Sequence, residues 1–163
     1  MEMKLSSITT GREITETNMS EFGMITMSYR VKSTKIDLRK RSNVKRVLIV
    51  DDNPLIRKAV AAAFLSGGFD VCGEAENGRD AINLAKKLIP DLIILDLSMP
   101  VMNGLQAAPE LRKIAPMTPT ILLTMFGNGL VFDQAPKIGI DLVLSKTESL
   151  DSVVQKAHQL MGD

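Results

Sequence analysis

Tryptophan is missing from this sequence, tyrosine occurs once, and aromatics make up only 4% of its 163 residues. Any core is therefore aliphatic, built from Leu, Ile, Val, Ala and Met, and a hydrophobic content of 45% is enough for one. The single cysteine, Cys72, excludes an internal disulfide, fits a reducing compartment and reads as a small core residue. The single histidine, His158, has no evident ligand partners and reads as a surface residue. No apolar run approaches the roughly 18 residues that span a bilayer. The N-terminus lacks the apolar stretch of a secretion signal, so the expected location is cytoplasmic. The net charge of +1 gives no global field that would draw nucleic acid or membrane.

That small charge conceals an asymmetry. Residues 1–45 carry nine Lys/Arg against five Asp/Glu, so the leader is basic and the remainder mildly acidic. The leader is rich in Ser, Thr and Met and has no long apolar periodicity, which predicts a flexible segment. Within it, Met24 to Val31 alternates as a strand would, and Arg39-Lys40-Arg41 with Lys45 and Arg46 reads as a solvated basic run.

From Arg46 onward, residues 46–163 read as one domain. Val47-Leu48-Ile49-Val50 is an unbroken apolar run ending at Asp51-Asp52-Asn53-Pro54. Strands covered on both faces have this texture, because neither face meets water. Pro54 suits a first helical turn, Leu55, Ile56, Val60, Phe64 and Leu65 follow at helical spacing, and Gly67-Gly68 closes the helix. Further strands are predicted at Phe69 to Cys72, Leu92 to Leu95, Thr120 to Leu123 and Asp141 to Leu144. Helices are predicted at Ala81 to Leu88, Gly104 to Ile114 and Leu150 to Leu160, with a short one before Gly139. Five strand–helix alternations predict an α/β fold, a doubly wound five-stranded parallel sheet in the order 2-1-3-4-5.

Four of these strands end on polar residues: Asp51 and Asp52, Asp96, Thr124, and Lys146. Ligand crevices of open α/β sheets lie at the carboxyl ends of the strands, so one mouth collects three carboxylates, a hydroxyl and an ammonium. Three close carboxylates repel unless a cation intervenes. An all-oxygen donor set with few protein ligands points to Mg²⁺, which favours phosphate oxygens. A carboxylate can attack phosphorus, and a lysine with a metal can hold the equatorial oxygens.

The segments VLIVDDNPLIRKAV, PDLIILDLSMPVMNG, PTILLT and LVLSK resemble the receiver domain of two-component response regulators over about Arg46–Met161. The resemblance implies a flavodoxin-like fold with Asp96 as phosphoacceptor. It implies Mg²⁺ held by Asp51, Asp52, Asp96 and the backbone carbonyl of Ser98, and a phosphoryl group bound by Thr124 and Lys146. Pro100 and Gly104 match the family's loop after the acceptor. Enzymatic activity would be limited to self-phosphorylation and self-dephosphorylation. The implied partners are a histidine kinase, a downstream protein and a second copy in a homodimer. The wording around GEAENGRDAI and LDLSMPVMNGL is similar to receivers joined to helix-turn-helix domains. DNA would then be reached only through an output domain, and none is present in these residues; a single-domain regulator and a piece of a longer one both fit.

The sequence departs from the family at several positions. Val143 stands three residues before the lysine, where the family usually has Tyr or Phe, so altered signalling is expected. Met125 follows Thr124 where a small residue is usual, and should narrow the approach to Asp96. Thr147 follows Lys146 where many members have Pro, so no cis peptide is expected there. Pro109 should make the third helix kink or begin late, and Pro136 should keep the fourth short. Met99, Met102, Met117 and Met125 read as packing residues. Two other functions compete: a degenerate receiver serving as a phosphorylation-independent interaction module, and an Asp-nucleophile phosphatase. The latter needs a second Asp where Ser98 stands. No GxGxxG follows a strand, which disfavours a dinucleotide enzyme.

Overall fold

The apolar runs pair as a parallel sheet in the computed structural model, which describes residues 44–125 and 129–162. The strands are β1 (Arg46–Val50), β2 (Asp70–Ala75), β3 (Leu92–Asp96), β4 (Thr120–Thr124) and β5 (Leu142–Ser145). Their order is β2-β1-β3-β4-β5, the expected one among the few topologies that the alternation allows. The helices are α1 (Pro54–Ser66), α2 (Gly78–Leu88), α3 (Gly104–Ile114), α4 (Gly129–Gln134) and α5 (Leu150–Met161). The described residues belong to one compact unit, Arg41–Asp163. The expected flexible leader over 1–45, with its candidate strand, lies outside the described residues up to position 43.

Successive side chains of each strand face opposite ways, which explains the unbroken apolar runs. Leu48, Val50, Ile93, Leu95 and Leu122 pack with Ala81, Ile82 and Ala85 of α2 and Ala107, Ala108 and Leu111 of α3. Val47, Ile49, Leu92, Ile94, Ile121 and Leu123 pack with Val60, Ala61 and Phe64 of α1 and Val153, Val154 and Ala157 of α5. Two aliphatic layers thus press the sheet from both faces, and all five strands end at the same edge.

Several boundaries differ from expectation. β2 begins at Asp70 and runs to Ala75, because Phe69 turns into the core beside Phe64, their rings 5.1 Å apart. β1 and β2 slip register between Val47 and Leu48, leaving Cys72 unpaired in the ladder. Cys72 is half-buried and its thiol donates to the Val47 carbonyl at 3.3 Å. α2 starts three residues early, at Gly78, because Asn77 caps it by accepting from the Asp80 N–H at 2.9 Å.

α3 does not begin late. Asn103 and Gln106 form a reciprocal capping box that starts the helix at Gly104, with Pro109 carried inside it. Pro136 acts as expected: α4 ends at Gln134 and a short 3-10 turn, Ala135–Ile138, places Pro136 in its first turn.

Arg46 is no part of a tail, since its N–H donates to Asp91 Oδ2 at 2.9 Å and its guanidinium to the Leu88 carbonyl at 2.5 Å. His158 is not a plain surface residue. Its Nε2 lies 2.9 Å from the Gly67 carbonyl and its ring 4.6 Å from that of Phe69, joining α5 to the end of α1. Met99 and Met102 pack on the core as expected, but Met117 is 91% exposed. Among the described residues no peptide is cis, and no helix is long and apolar enough to cross a membrane.

Candidate metal and phosphoryl site

β1 and β3 are neighbours at the centre of the sheet, so Asp51 and Asp96 reach the carboxyl edge side by side. Both are buried, whereas Asp52 is exposed at the mouth. One carboxylate oxygen from each of Asp51, Asp52 and Asp96 lies within 4.8 Å of the others, an arrangement able to hold a metal ion. The sequence placed these three together, and the structure brings them together.

Lys146 follows β5 and reaches back across the edge. Its Nζ lies 2.6 Å from Asp51 Oδ2 and 2.9 Å from Asp96 Oδ1, with only 8% of the side chain exposed. Burial pulls the Lys146 pKa down, but the hydrogen bonds that its ammonium donates to both aspartates, with their charges, outweigh it and the net shift is upward. Asp96 moves the other way from a usual salt-bridged acid. Burial pushes its carboxyl up, and the charge of Asp51 adds to this against the lowering effect of Lys146. One ammonium therefore compensates two buried carboxylates incompletely. A divalent cation with oxygen preference fits this donor set, since it would supply the missing positive charge.

Thr124 ends β4, is buried, and its carbonyl accepts from the Lys146 N–H at 2.9 Å. The two residues expected to contact a phosphoryl group are thus tied through backbone. Ser98 lies on the exposed loop two residues past Asp96. That loop folds back, with the Gly104 N–H donating to the Leu97 carbonyl at 2.9 Å. Val101 takes φ = 66°, unusual for a β-branched residue, and Met102 N–H donates to the Pro100 carbonyl at 2.6 Å.

Sequence reasoning missed two contributors. Asn53 caps α1 by accepting from the Leu55 N–H at 2.9 Å and the Ile56 N–H at 3.3 Å, and its own N–H donates to Asp51 Oδ1 at 2.9 Å. The Asn-Pro pair at a strand–helix junction was the available signal. Arg57 donates to the Asp51 carbonyl at 2.6 Å, a contact no local pattern announces.

Met125 is 53% exposed and lines a groove of about 220 Å³ with Ile56, Ala59, Leu123, Lys146 and Leu150. Val143 is half-buried and packs on the α2/α3 layer. Beyond Lys146, Thr147 N–H donates to Ser145 Oγ at 3.1 Å, and Glu148 pairs with Lys156.

The family model described as "Response regulator receiver domain" matches residues 47–158, more than half of the chain. The chain belongs to this receiver family. It is 35% identical over 116 residues to the chemotaxis protein CheY of Thermotoga maritima, covering 71% of this chain and 97% of that protein. It is 35% identical over 119 residues to a putative transcriptional regulator of Pseudomonas aeruginosa, covering 73% of this chain and 58% of the relative. The receiver thus spans little more than half the length of that regulator. Among solved structures, the signal receiver domain of the putative response regulator NarL from Mycobacterium tuberculosis superposes with a TM-score of 0.69 at 32% identity. That match covers 73% of this chain and 97% of the other. The receiver domains of two-component systems are the common element.

Proposed function

We propose that this receiver accepts a phosphoryl group on Asp96 from a phosphohistidine of a histidine kinase, in a Mg²⁺-dependent reaction. The observation that carries this reading is the Lys146 ammonium bridging Asp51 and Asp96, with Asp52 alongside. An Asp96 carboxylate oxygen attacks phosphorus, the O–P bond forms, and the N–P bond of the donor breaks with its electron pair left on nitrogen. Asp51, Asp52, Asp96 and the Ser98 carbonyl would hold Mg²⁺, which would supply charge to the phosphoryl oxygens. Lys146 leaves its ion pair with Asp96 for a phosphoryl oxygen, and Thr124 donates its hydroxyl to another. The same residues support self-dephosphorylation by water.

A histidine kinase, a downstream protein and a second copy are the proposed partners; DNA would be reached only through an output domain. A cytoplasmic location belongs to the same reading. The phosphorylated state would be relayed to α4 and β5, with Val143 in place of an aromatic ring.

The test is labelling by acetyl phosphate with and without Mg²⁺, read by intact mass, in wild type and Asp96→Asn. Wild type should gain one phosphoryl group only with Mg²⁺, and hydroxylamine should remove it, as expected for an acyl phosphate. Equal mass gain in Asp96→Asn would overturn the assignment.

A further inference from the structure

Arg57 lies on α1 with only 12% of its side chain exposed. Its N–H donates to the Asn53 carbonyl at 2.9 Å, which places it one turn into the capped helix. From there the guanidinium reaches three separate places. Nη1 donates to the backbone carbonyl of Asp51 at 2.6 Å, Nε to Glu74 at 3.0 Å, and Nη2 to Glu76 at 3.1 Å. Glu74 belongs to β2 and Glu76 follows its last residue. One planar fork thus joins the start of α1 to the ends of β1 and β2, which a lysine with its single flexible ammonium would not reproduce.

The carbonyl that Arg57 holds belongs to the peptide between Asp51 and Asp52. Fixing that oxygen fixes the peptide plane, and the plane sets where the Asp52 side chain begins. Asp52 is exposed, so core packing does not hold it. Asp51 is held on its other polar atoms too. Its N–H donates to Ala75 at 3.1 Å, Oδ1 accepts from Asn53, and Oδ2 meets Lys146. Mg²⁺ tolerates little departure from octahedral geometry, so a peptide free to rock at this point lowers affinity.

Charge alone argues the reverse, since a nearby guanidinium repels a cation. Glu74 and Glu76 offset that charge at close range, leaving the geometric effect to set the sign. The geometry points to Arg57 as a positioning residue for the divalent cation, acting through the Asp51–Asp52 peptide and never touching the ion itself. This role rests on the Mg²⁺-dependent phosphoacceptor function proposed above.

Titrating MgCl₂ into the unphosphorylated protein and following backbone amide shifts by NMR gives the affinity directly. Arg57→Gln should weaken it about tenfold, at the low end of what outer-shell partners of metal ligands contribute. Arg57→Lys should weaken it severalfold, although the charge is kept. Labelling of Asp96 by acetyl phosphate should then need more Mg²⁺, while the rate at saturating Mg²⁺ stays within about twofold of wild type. A folded Arg57→Gln protein with unchanged or tighter Mg²⁺ binding overturns the role, even if its unfolding midpoint drops. Should Arg57→Gln fail to fold, Arg57→Lys decides, and unchanged affinity there overturns it equally. Wild type failing to bind Mg²⁺ at all would instead sink the underlying function.

Discussion

Gly104 begins α3 pressed against the backbone of Asp96: a Cβ at position 104 would stand 2.3 Å from the Asp96 carbonyl oxygen. The neighbouring atom is main chain and cannot rotate away. This contact, with the Gly104 N–H donating to the Leu97 carbonyl, holds the start of α3 against the end of β3.

Gly104→Ala must therefore push α3 and the acceptor strand apart. Overpacking of this kind costs about 1–3 kcal/mol. Urea unfolding should show that loss, with weaker Mg²⁺ binding in the folded fraction. A variant as stable as wild type would show that the loop adapts freely.

Lys146 compensates two buried carboxylates at once. Lys146→Met leaves both without their compensating cation, and removing one member of a buried pair costs about 3–5 kcal/mol. Adding Asp96→Asn should recover part of the loss, since one stranded charge is removed. Strict additivity in that double-mutant cycle would mean the two residues do not interact energetically.

Asp96 has a pKa raised by burial, with the Asp51 charge adding to the rise and Lys146 opposing it. A raised carboxyl favours the folded state when protonated. Its contribution is complete below its unfolded pKa and is lost as pH rises through the folded value. With divalent cations chelated, Asp96→Asn escapes that loss. Its unfolding midpoint should exceed that of wild type at neutral pH, and the gap should close as pH falls into the ordinary carboxylate range. A gap independent of pH would falsify this account.

Met125 stands exposed beside the Lys146 end of the groove. If the thioether limits access to the Lys146–Asp96 pair, truncation to Ala should widen the approach. Labelling by acetyl phosphate should rise roughly threefold, under 1 kcal/mol of barrier. An unchanged rate sinks the idea that the thioether restricts access.

His158 links α5 to α1 through the Gly67 carbonyl and the Phe69 ring. His158→Ala should lower stability by about 1–2 kcal/mol, the scale of a hydrogen bond with a ring contact. Asp96 labelling should stay at the wild-type rate. If denaturant midpoints coincide, the link contributes nothing to the fold.

Much of the site was legible because its carriers are local. Each of Asp51, Asp96, Thr124 and Lys146 ends or follows an apolar run, and parallel strands deliver their ends to one edge. Arg57 and His158 were illegible for the opposite reason. The Arg57 fork reaches back six residues to the Asp51 carbonyl and ahead 17 and 19 to Glu74 and Glu76, while His158 meets a carbonyl 91 residues away, and nothing at helical or strand spacing marks these contacts. Pro109 misled in a different way. Its presence suggested a kink or a late start; the late start does not occur, because the Asn103–Gln106 capping box satisfies the first turn and fixes the start at Gly104.

By itself, the order of apolar runs and polar strand ends determined the α/β class and the identity of the acidic mouth, and narrowed the strand order to a few topologies that include the observed one. Hydrophobic burial is non-directional and short-period, so it can be read from neighbours in the chain. Only the tertiary structure decided that one lysine is shared between Asp51 and Asp96, that Asp96 is pushed toward its protonated form, and that Arg57 holds the Asp51 carbonyl. Those outcomes depend on distances of a few ångströms and on the exclusion of water, and both exist only once the sheet and helices have closed around them.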